Sequence, residues 1–258
     1  DVRPYDVRRG DERIGRIHLD LHPREGKFSH AACFGLAPGV RGRVLPEAAL
    51  LCNFARGLMT HDEVVTFFHE FGHLVHDILG GDQRFARFSG VATEWDFVEA
   101  PSQLLEDWAW DAEVLATFTA GPEGEPIPAD LVEVRRQLGH ANVSYHLHVD
   151  RPADLQEATE HWYSVTSPVR PLRGTHSYAG FGHLTGYGAC YYTYQWSLVI
   201  ARDLRSAFGD DLMNEAVAAR YRRDILEPGG SRDAADLAAA FLGRPYAFDA
   251  YRDWLGGH

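Results

Sequence analysis

The chain has 258 residues, 45% hydrophobic and 24% charged, with a net charge of −12 and an isoelectric point near 5.6. That acidity argues against nucleic acid as a partner and leaves no basic patch for a membrane surface, and no apolar run nears the ~20 residues of a spanning helix. Three scattered cysteines, Cys33, Cys52 and Cys190, form neither a disulfide framework nor a C-x-x-C zinc knuckle, which makes a reducing cytoplasm the expected compartment. The chain opens "DVRPYDVRRGDERIG", with no Met and no signal region. It is read as part of a longer chain, so the cytoplasmic expectation does not rest on a missing signal peptide.

In chain order, "RIGRIHLDL" (13–21) alternates with Ile17, Leu19 and Leu21 on one face and predicts a strand. "PREGK" turns it, "HAACFGLAPG" is the expected returning strand, and "AALLCNFAR" (48–56) another. "THDEVVTFFHEFGHLVHDILGG" predicts a helix over about 61–79. Thr60 is its N-cap, with Glu63 completing a capping box. Val64, Phe67, Phe68, Phe71, Leu74, Val75 and Ile78 form its apolar stripe, and Gly80-Gly81 stop it. Gly72 inside this helix costs about 1 kcal/mol against Ala and predicts close approach of another backbone. "EWDFVEAPSQLLEDWAWDAEVLATF" predicts one long helix, begun or kinked by Pro101. "GPEGEPIPAD" (121–130) is a linker, and 129–148 and 152–164 are helical. Residues 167–188 form a glycine-rich irregular segment, the kind of long loop that usually carries function. A helix follows from about 188 to 208, "PGGS" (228–231) caps the next, and "YAFDAYRDWL" closes a chain without internal repeats. The expected architecture is one mainly α domain over 1–258 with a small β-sheet near its start.

"HEFGH" (69–73) carries the chemistry. Fourteen histidines and sixteen glutamates in 258 residues give roughly one chance H-E-x-x-H match in twenty such chains, so context decides. On a helix, His69 and His73 share a face about one turn apart and can aim ring nitrogens at one ion. Glu70 points about 100° away, where it can act as general base on an activated water. His76 lies about 10.5 Å along the helix from His69, too far to share that ion, and is expected to pack or support. A hydrolytic zinc site needs a third protein ligand. Glu94, Asp96, Glu99 and Glu106 are the candidates, and periodicity leaves Glu99 and Glu106 nearly tied. Tyr187, Tyr191 and Tyr194 stand at i, i+4 and i+7. They read as an aromatic core stripe or, beside a zinc site, as phenol donors to an oxyanion; His183 can donate too.

Five collinear blocks carry a resemblance: "LDLHPREGKFSHAACFGL", "HDEVVTFFHEFGHLVH", "FARFSG…DFVEAPSQLLEDWAW", "FGHLTGYGACYYTYQWS" and "LEPGGSRDAADLAAAFLGR". Over nearly the whole chain it resembles the catalytic region of the thimet oligopeptidase family (peptidase family M3). The resemblance implies a zincin-like metallopeptidase domain holding one Zn²⁺ per chain through His69, His73 and Glu99, the glutamate of "FVEAPSQ". It implies Glu70 as base, Tyr187, Tyr191 and Tyr194 as contacts to the substrate carbonyl, and His183 as the loop histidine. It further implies short peptides as substrates, admitted by a channel between two helical lobes of which this sequence carries the carboxyl-terminal part. The departures are a single glycine, Gly186, before Tyr187, a shorter segment before the zinc helix, and Trp95 where the family often has Arg. Two other functions stay in view: a non-catalytic zinc-binding fragment, and a dipeptidyl carboxypeptidase-type zincin. An extended peptide is expected along the edge of the strand at 48–54.

Overall fold

The computed structural model describes residues 1–118, 130–167, 169, 171–172 and 174–256. The predicted linker lies outside them except for Asp130, whose carboxylate accepts the amides of Val132 and Glu133 and starts the next helix.

Four strands form one sheet: β1 (Arg3–Arg9), β2 (Glu12–Asp20), β3 (Ala32–Ala37) and β4 (Glu47–Leu51), in the order β1-β2-β4-β3. β1 and β2 are an antiparallel hairpin. β3 does not return alongside β2, as expected from the sequence. It pairs antiparallel with β4, and β4 pairs parallel with β2. The strand expected to be an edge is therefore interior, and its neighbour β3 is the edge. Ala48 and Leu50 of β4, and Cys52 just past its end, are fully buried, and Ala49 on the opposite face is buried too, as suits a strand covered on both sides. Lys27 explains how the β2–β3 connection is held. Its ammonium is almost fully buried, beside the Asp20 carboxylate at 3.0 Å, and it donates to the carbonyls of Asp20, His22 and Cys52.

Helix α1 runs His61–Leu79 with the predicted capping box at Thr60 and Glu63. Its faces divide the fold. Leu74 and Ile78, with Phe67 and Phe71, pack on the sheet. Val75 and Leu79 pack into a second core built from Phe97, Leu104, Ile200, Leu204, Ile225 and Leu237. The predicted long helix after it is broken into α2 (Ala100–Glu106), a 3₁₀ turn (Asp107–Ala109) and α3 (Ala112–Ala116). Pro101 stands in the first turn of α2, where its missing amide costs nothing. α1 and α2 meet at Gly72, where an added Cβ would stand 2.6 Å from Ser102 Cα, the close backbone approach its glycine predicts.

α4 (Leu131–Val149) and α5 (Leu155–Thr166) form a helical hairpin. The glycine-rich segment contains a 3₁₀ turn (Ser177–Gly180) and the single turn α6 (His183–Gly186). α7 covers Thr193–Ser206 and starts later than expected, because Ala189 has φ +58° and breaks any helix through 188–192. α8 (Glu215–Tyr221) and the π-helical turn Arg222–Leu226 have no counterpart in the sequence reading. α9 (Ala234–Leu242) begins after Asp233 rather than at "PGGS", and α10 (Asp249–Gly256) rests on α7. The mainly α chain with one small sheet agrees with expectation. Among the described residues no helix is long and apolar enough to cross a membrane, and all three cysteines are free.

Candidate active site

His69 and His73 stand one turn apart on α1, ring centroids 5.0 Å apart. Glu99, the residue before α2, reaches them with one oxygen. Its Oε2 lies 3.2 Å from His69 Nε2 and 3.0 Å from His73 Nε2. Ligand atoms of these three residues all fall within 4.8 Å of one another, the one such group of three among the described residues. The close contact at Gly72 makes this convergence possible, since it seats the first turn of α2 against α1. Ser102 Oγ, in that turn, shares its one proton between Glu99 O at 2.9 Å and Oε2 at 3.1 Å.

Glu106 occupies the other side of His69, accepting a hydrogen bond from Nδ1 at 2.6 Å. That contact places the hydrogen on Nδ1 and turns Nε2 toward Glu99 and His73, as a carboxylate behind a metal-binding imidazole does. The two acids that periodicity left tied thus both reach His69, one at each ring nitrogen. Glu94 is elsewhere, accepting the Ala234 amide at the start of α9, and the Asp96 carbonyl accepts from Ser197. Burial alone would lower the pKa of His69, but its hydrogen bonds to Glu106 and Glu99 outweigh it and raise the pKa to about 10. For Glu99 burial raises the pKa, and the two imidazoles overcome it to leave the carboxylate well below its ordinary range. Two imidazoles and one carboxylate, with a second carboxylate orienting one ring, fit a three-ligand zinc site that keeps a position open.

Glu70 is buried, falling between the histidine face of α1 and its sheet face. Burial raises its pKa, while His69 and His73 and the Cys33 amide of β3, which donates to it, pull the other way. His76 is fully buried, and neither ring nitrogen has a hydrogen-bond partner. Burial lowers its pKa to about 3, so it packs as a neutral ring.

A cavity of about 290 Å³ opens beside the cluster, lined by His73, Glu99, His183, Tyr187 and Tyr194, with Cys33 and Gly35 of β3. The three phenols do not lie on one helix, yet the bend at Ala189 still brings them together. The His183 ring centroid lies within 5.8 Å of those of Tyr187, Tyr191 and Tyr194, tilted to the first and edge-on to the other two. Their hydroxyls differ. Tyr191 donates to Gln137 Oε1 of α4 at 2.8 Å, and Gln137 in turn donates to Glu133, so this phenol is committed to the α4 wall. Tyr194 lines the cavity, and burial beside Glu99 raises its pKa, so it stays a protonated donor at neutral pH. Burial lowers the pKa of His183, opposed by Glu99, and keeps its ring neutral.

The sequence reading missed two neighbours of this site. Gln137 could not be found from the sequence, because nothing in it pairs α4 with the tyrosines. Asp77 could have been, since it follows His73 at i+4 and lines the same cavity.

The sequence profile of peptidase family M3 matches residues 1–256. Over 94% of its length the chain is 35% identical to the thimet-like oligopeptidase of Dictyostelium discoideum, and over 99% it is 34% identical to oligopeptidase A of Escherichia coli K12. It spans 41% and 42% of those two proteins. Among solved structures, a putative oligoendopeptidase F superposes with a TM-score of 0.63 at 18% identity, over 93% of this chain and 42% of that one, a likeness of fold alone. With a family profile covering all but its last two residues and relatives at a third identity or more, this chain belongs to peptidase family M3.

Proposed function

We propose that residues 1–258 form the zincin-like catalytic domain of a zinc-dependent oligopeptidase that hydrolyses short peptides. One observation carries the reading: His69, His73 and Glu99 bring three ligand atoms within 4.8 Å of one another, with the desolvated carboxylate of Glu70 beside them. His69 and His73 through Nε2, and Glu99 through Oε2, are the groups that would hold the ion. Zinc, when bound, supplies Lewis-acid polarisation of the scissile carbonyl and acidifies the attacking water.

The remaining steps belong to side chains. Glu70 accepts the proton of the attacking water and delivers it to the leaving amine. Its burial between α1 and β3 raises its basicity above that of an exposed carboxylate. Tyr194 donates its hydroxyl to the carbonyl oxygen as negative charge develops there. His183 and Tyr187, on the glycine-rich segment, close the same wall of the cavity. Tyr191 braces the cluster from behind through Gln137. The substrate backbone is placed along β3 rather than along the strand at 48–54, since β3 is the free edge on this side of the sheet. Cys33 and Gly35, two residues apart and so on one side of that strand, both face the cavity, an arrangement for strand addition.

The test is Glu70→Gln in the full-length protein with a quenched fluorogenic peptide. The amide fills the same space but cannot take the proton. Metal content is expected to stay at one per chain while turnover falls by about 10²–10⁴. A wild-type protein that binds the metal yet never cleaves peptides would make this a non-catalytic metal-binding domain. Loss of metal in Glu70→Gln would make Glu70 structural.

A further inference from the structure

The face of α1 that carries His69 and His73 continues to Asp77. Asp77 follows His73 by four residues, so it stands about one helical turn (~5.4 Å) farther along the same face. It lines the same cavity as His73, Glu99 and Tyr194. Its carboxylate sits over Gly90, where any Cβ would collide with Oδ1, and beside Gly35 of the edge strand, whose Cβ would stand 3.7 Å from Oδ2. Burial pushes its pKa up, opposed by the Val91 backbone amide and by the neighbouring His73. Among the described residues no lysine or arginine lines the cavity. Asp77 is thus a partly desolvated acid with no lysine or arginine in the cavity to pair with it, in a chain whose net charge is −12.

The solvent side of the cavity is aromatic. Trp95 and Tyr187 are 59% and 48% exposed, with ring centroids 5.5 Å apart and planes at 74°. Val91 and Val98 add aliphatic lining. Aromatic faces near solvent, aliphatic walls and one unpaired carboxylate are together complementary to a long cationic side chain. The stem covers the valines, the cation meets the rings, and the carboxylate accepts a charge-assisted hydrogen bond.

We propose that Asp77, with Trp95 and Tyr187, forms a subsite selecting peptides that carry a lysine or arginine close to the scissile bond. The inference rests on the peptidase reading and adds to it a substrate class. A peptide extended along β3 advances ~3.3 Å per residue. An acid one helical turn past His73 therefore faces a residue one or two positions from the bond that is cut.

The test uses the full-length, metal-loaded protein and peptides of one sequence, N-acetylated and C-amidated so that the varied side chain is the only cation. Arg, Lys, norleucine and Glu are placed in turn at the three positions on each side of the cleaved bond. At one position kcat/KM is expected to favour Arg and Lys over norleucine by about tenfold or more, with Glu poorest. Asp77→Asn is expected to collapse that ratio to about twofold, and Trp95→Leu to reduce it by about two- to fivefold. A wild-type protein that cleaves the norleucine peptide as well as the arginine peptide at every position overturns the proposal without any variant. A ratio unchanged in folded Asp77→Asn also overturns it and leaves the acid as an anchor for Val91. A preference seen only with a free amino terminus assigns Asp77 to that amine and overturns the side-chain subsite. If no peptide is turned over, the peptidase reading fails and the subsite is judged by binding. Fluorescence anisotropy of the same labelled peptides on chelator-treated protein then upholds it if arginine binds tighter than norleucine to wild type but not to Asp77→Asn. Equal affinities sink it.

Discussion

Gly72→Ala tests how the fold sets the site. An alanine Cβ at this position would stand 2.6 Å from Ser102 Cα, 3.1 Å from Pro101 O and 3.3 Å from Ser102 N. Carbon atoms in good contact sit about 3.5–4.0 Å apart, so α2 must retreat by about 1 Å, and the atoms opposing it are backbone that no rotamer can move. Overpacking of this kind costs about 1–3 kcal/mol, offset by about 1 kcal/mol of improved helix propensity. The net loss expected in denaturant unfolding of the metal-free protein is therefore about 0–2 kcal/mol. The effect on metal should be larger in proportion. The Ser102 hydroxyl is shared between Glu99 O and Oε2, so retreat of α2 carries Oε2 away from His69 and His73. Coordination distances near 2.0–2.2 Å leave little slack, and a loss of about 10–100-fold in zinc affinity is expected, of the order seen when groups supporting a ligand are altered. Chelator competition measures it. A variant stabilised by about 1 kcal/mol with unchanged zinc affinity would refute the reasoning, because α1 and α2 would then not be held at contact by this glycine.

Glu106→Gln should weaken zinc by about 10–100-fold, since it only orients His69, whereas Glu99→Ala should leave the protein metal-free at micromolar zinc; the opposite pattern in metal analysis would exchange their roles. Tyr194→Phe should lower kcat by about 10²–10³ with little change in KM. Tyr191→Phe, which breaks the 2.8 Å bond to Gln137, should cost about 1 kcal/mol of stability and leave kcat within a few-fold; equal kcat losses in both would make Tyr191 a donor as well. Asp20 sets an acid limit. The Arg24 hydrogen bond and, against the cost of burial, Lys27 lower its pKa from 3.8 to about 2. A folded-state pKa below the unfolded one means the stabilisation, about 2 kcal/mol, is complete above pH 3.8 and lost as pH falls through about 2. Asp20→Asn should flatten the stability–pH curve in that window, and an unchanged curve would mean that Asp20 is not held by these cations.

What the sequence made legible was local. α1 was readable at both ends because its cap, its apolar stripe and its stop are all written within the helix. The sheet order was not, because alternation in "RIGRIHLDL" reports which face is buried and nothing about which strand lies alongside. β1 escaped for a related reason: nearly every residue of "RPYDVRR" is exposed, so a paired edge strand left no hydrophobic pattern. The tyrosine stripe rested on a helix that Ala189 interrupts. The phenols converge because the chain turns there, not because of a 3.6-residue period. The tie between Glu99 and Glu106 was a true reading of periodicity. Seven residues apart, both face His69, and only the position of α2 against Gly72 decides which one meets Nε2.

The placement of Glu70 follows from the same helix. With Leu74 and Ile78 buried against the sheet and His69 and His73 turned toward Glu99, a residue about 100° from His69 has to fall on the boundary between the two faces. There it meets the edge strand, and the Cys33 amide hydrogen-bonds to it. The sheet thus does three things at once. It packs one side of α1, excludes water from the carboxylate and so raises its basicity, and presents β3 as a free edge along the cavity. A carboxylate buried by packing yet adjacent to the two histidines is a consequence of putting H-E-x-x-H on a helix with a strand at its shoulder. On the proposed reading, the motif needs its sheet as much as Glu99.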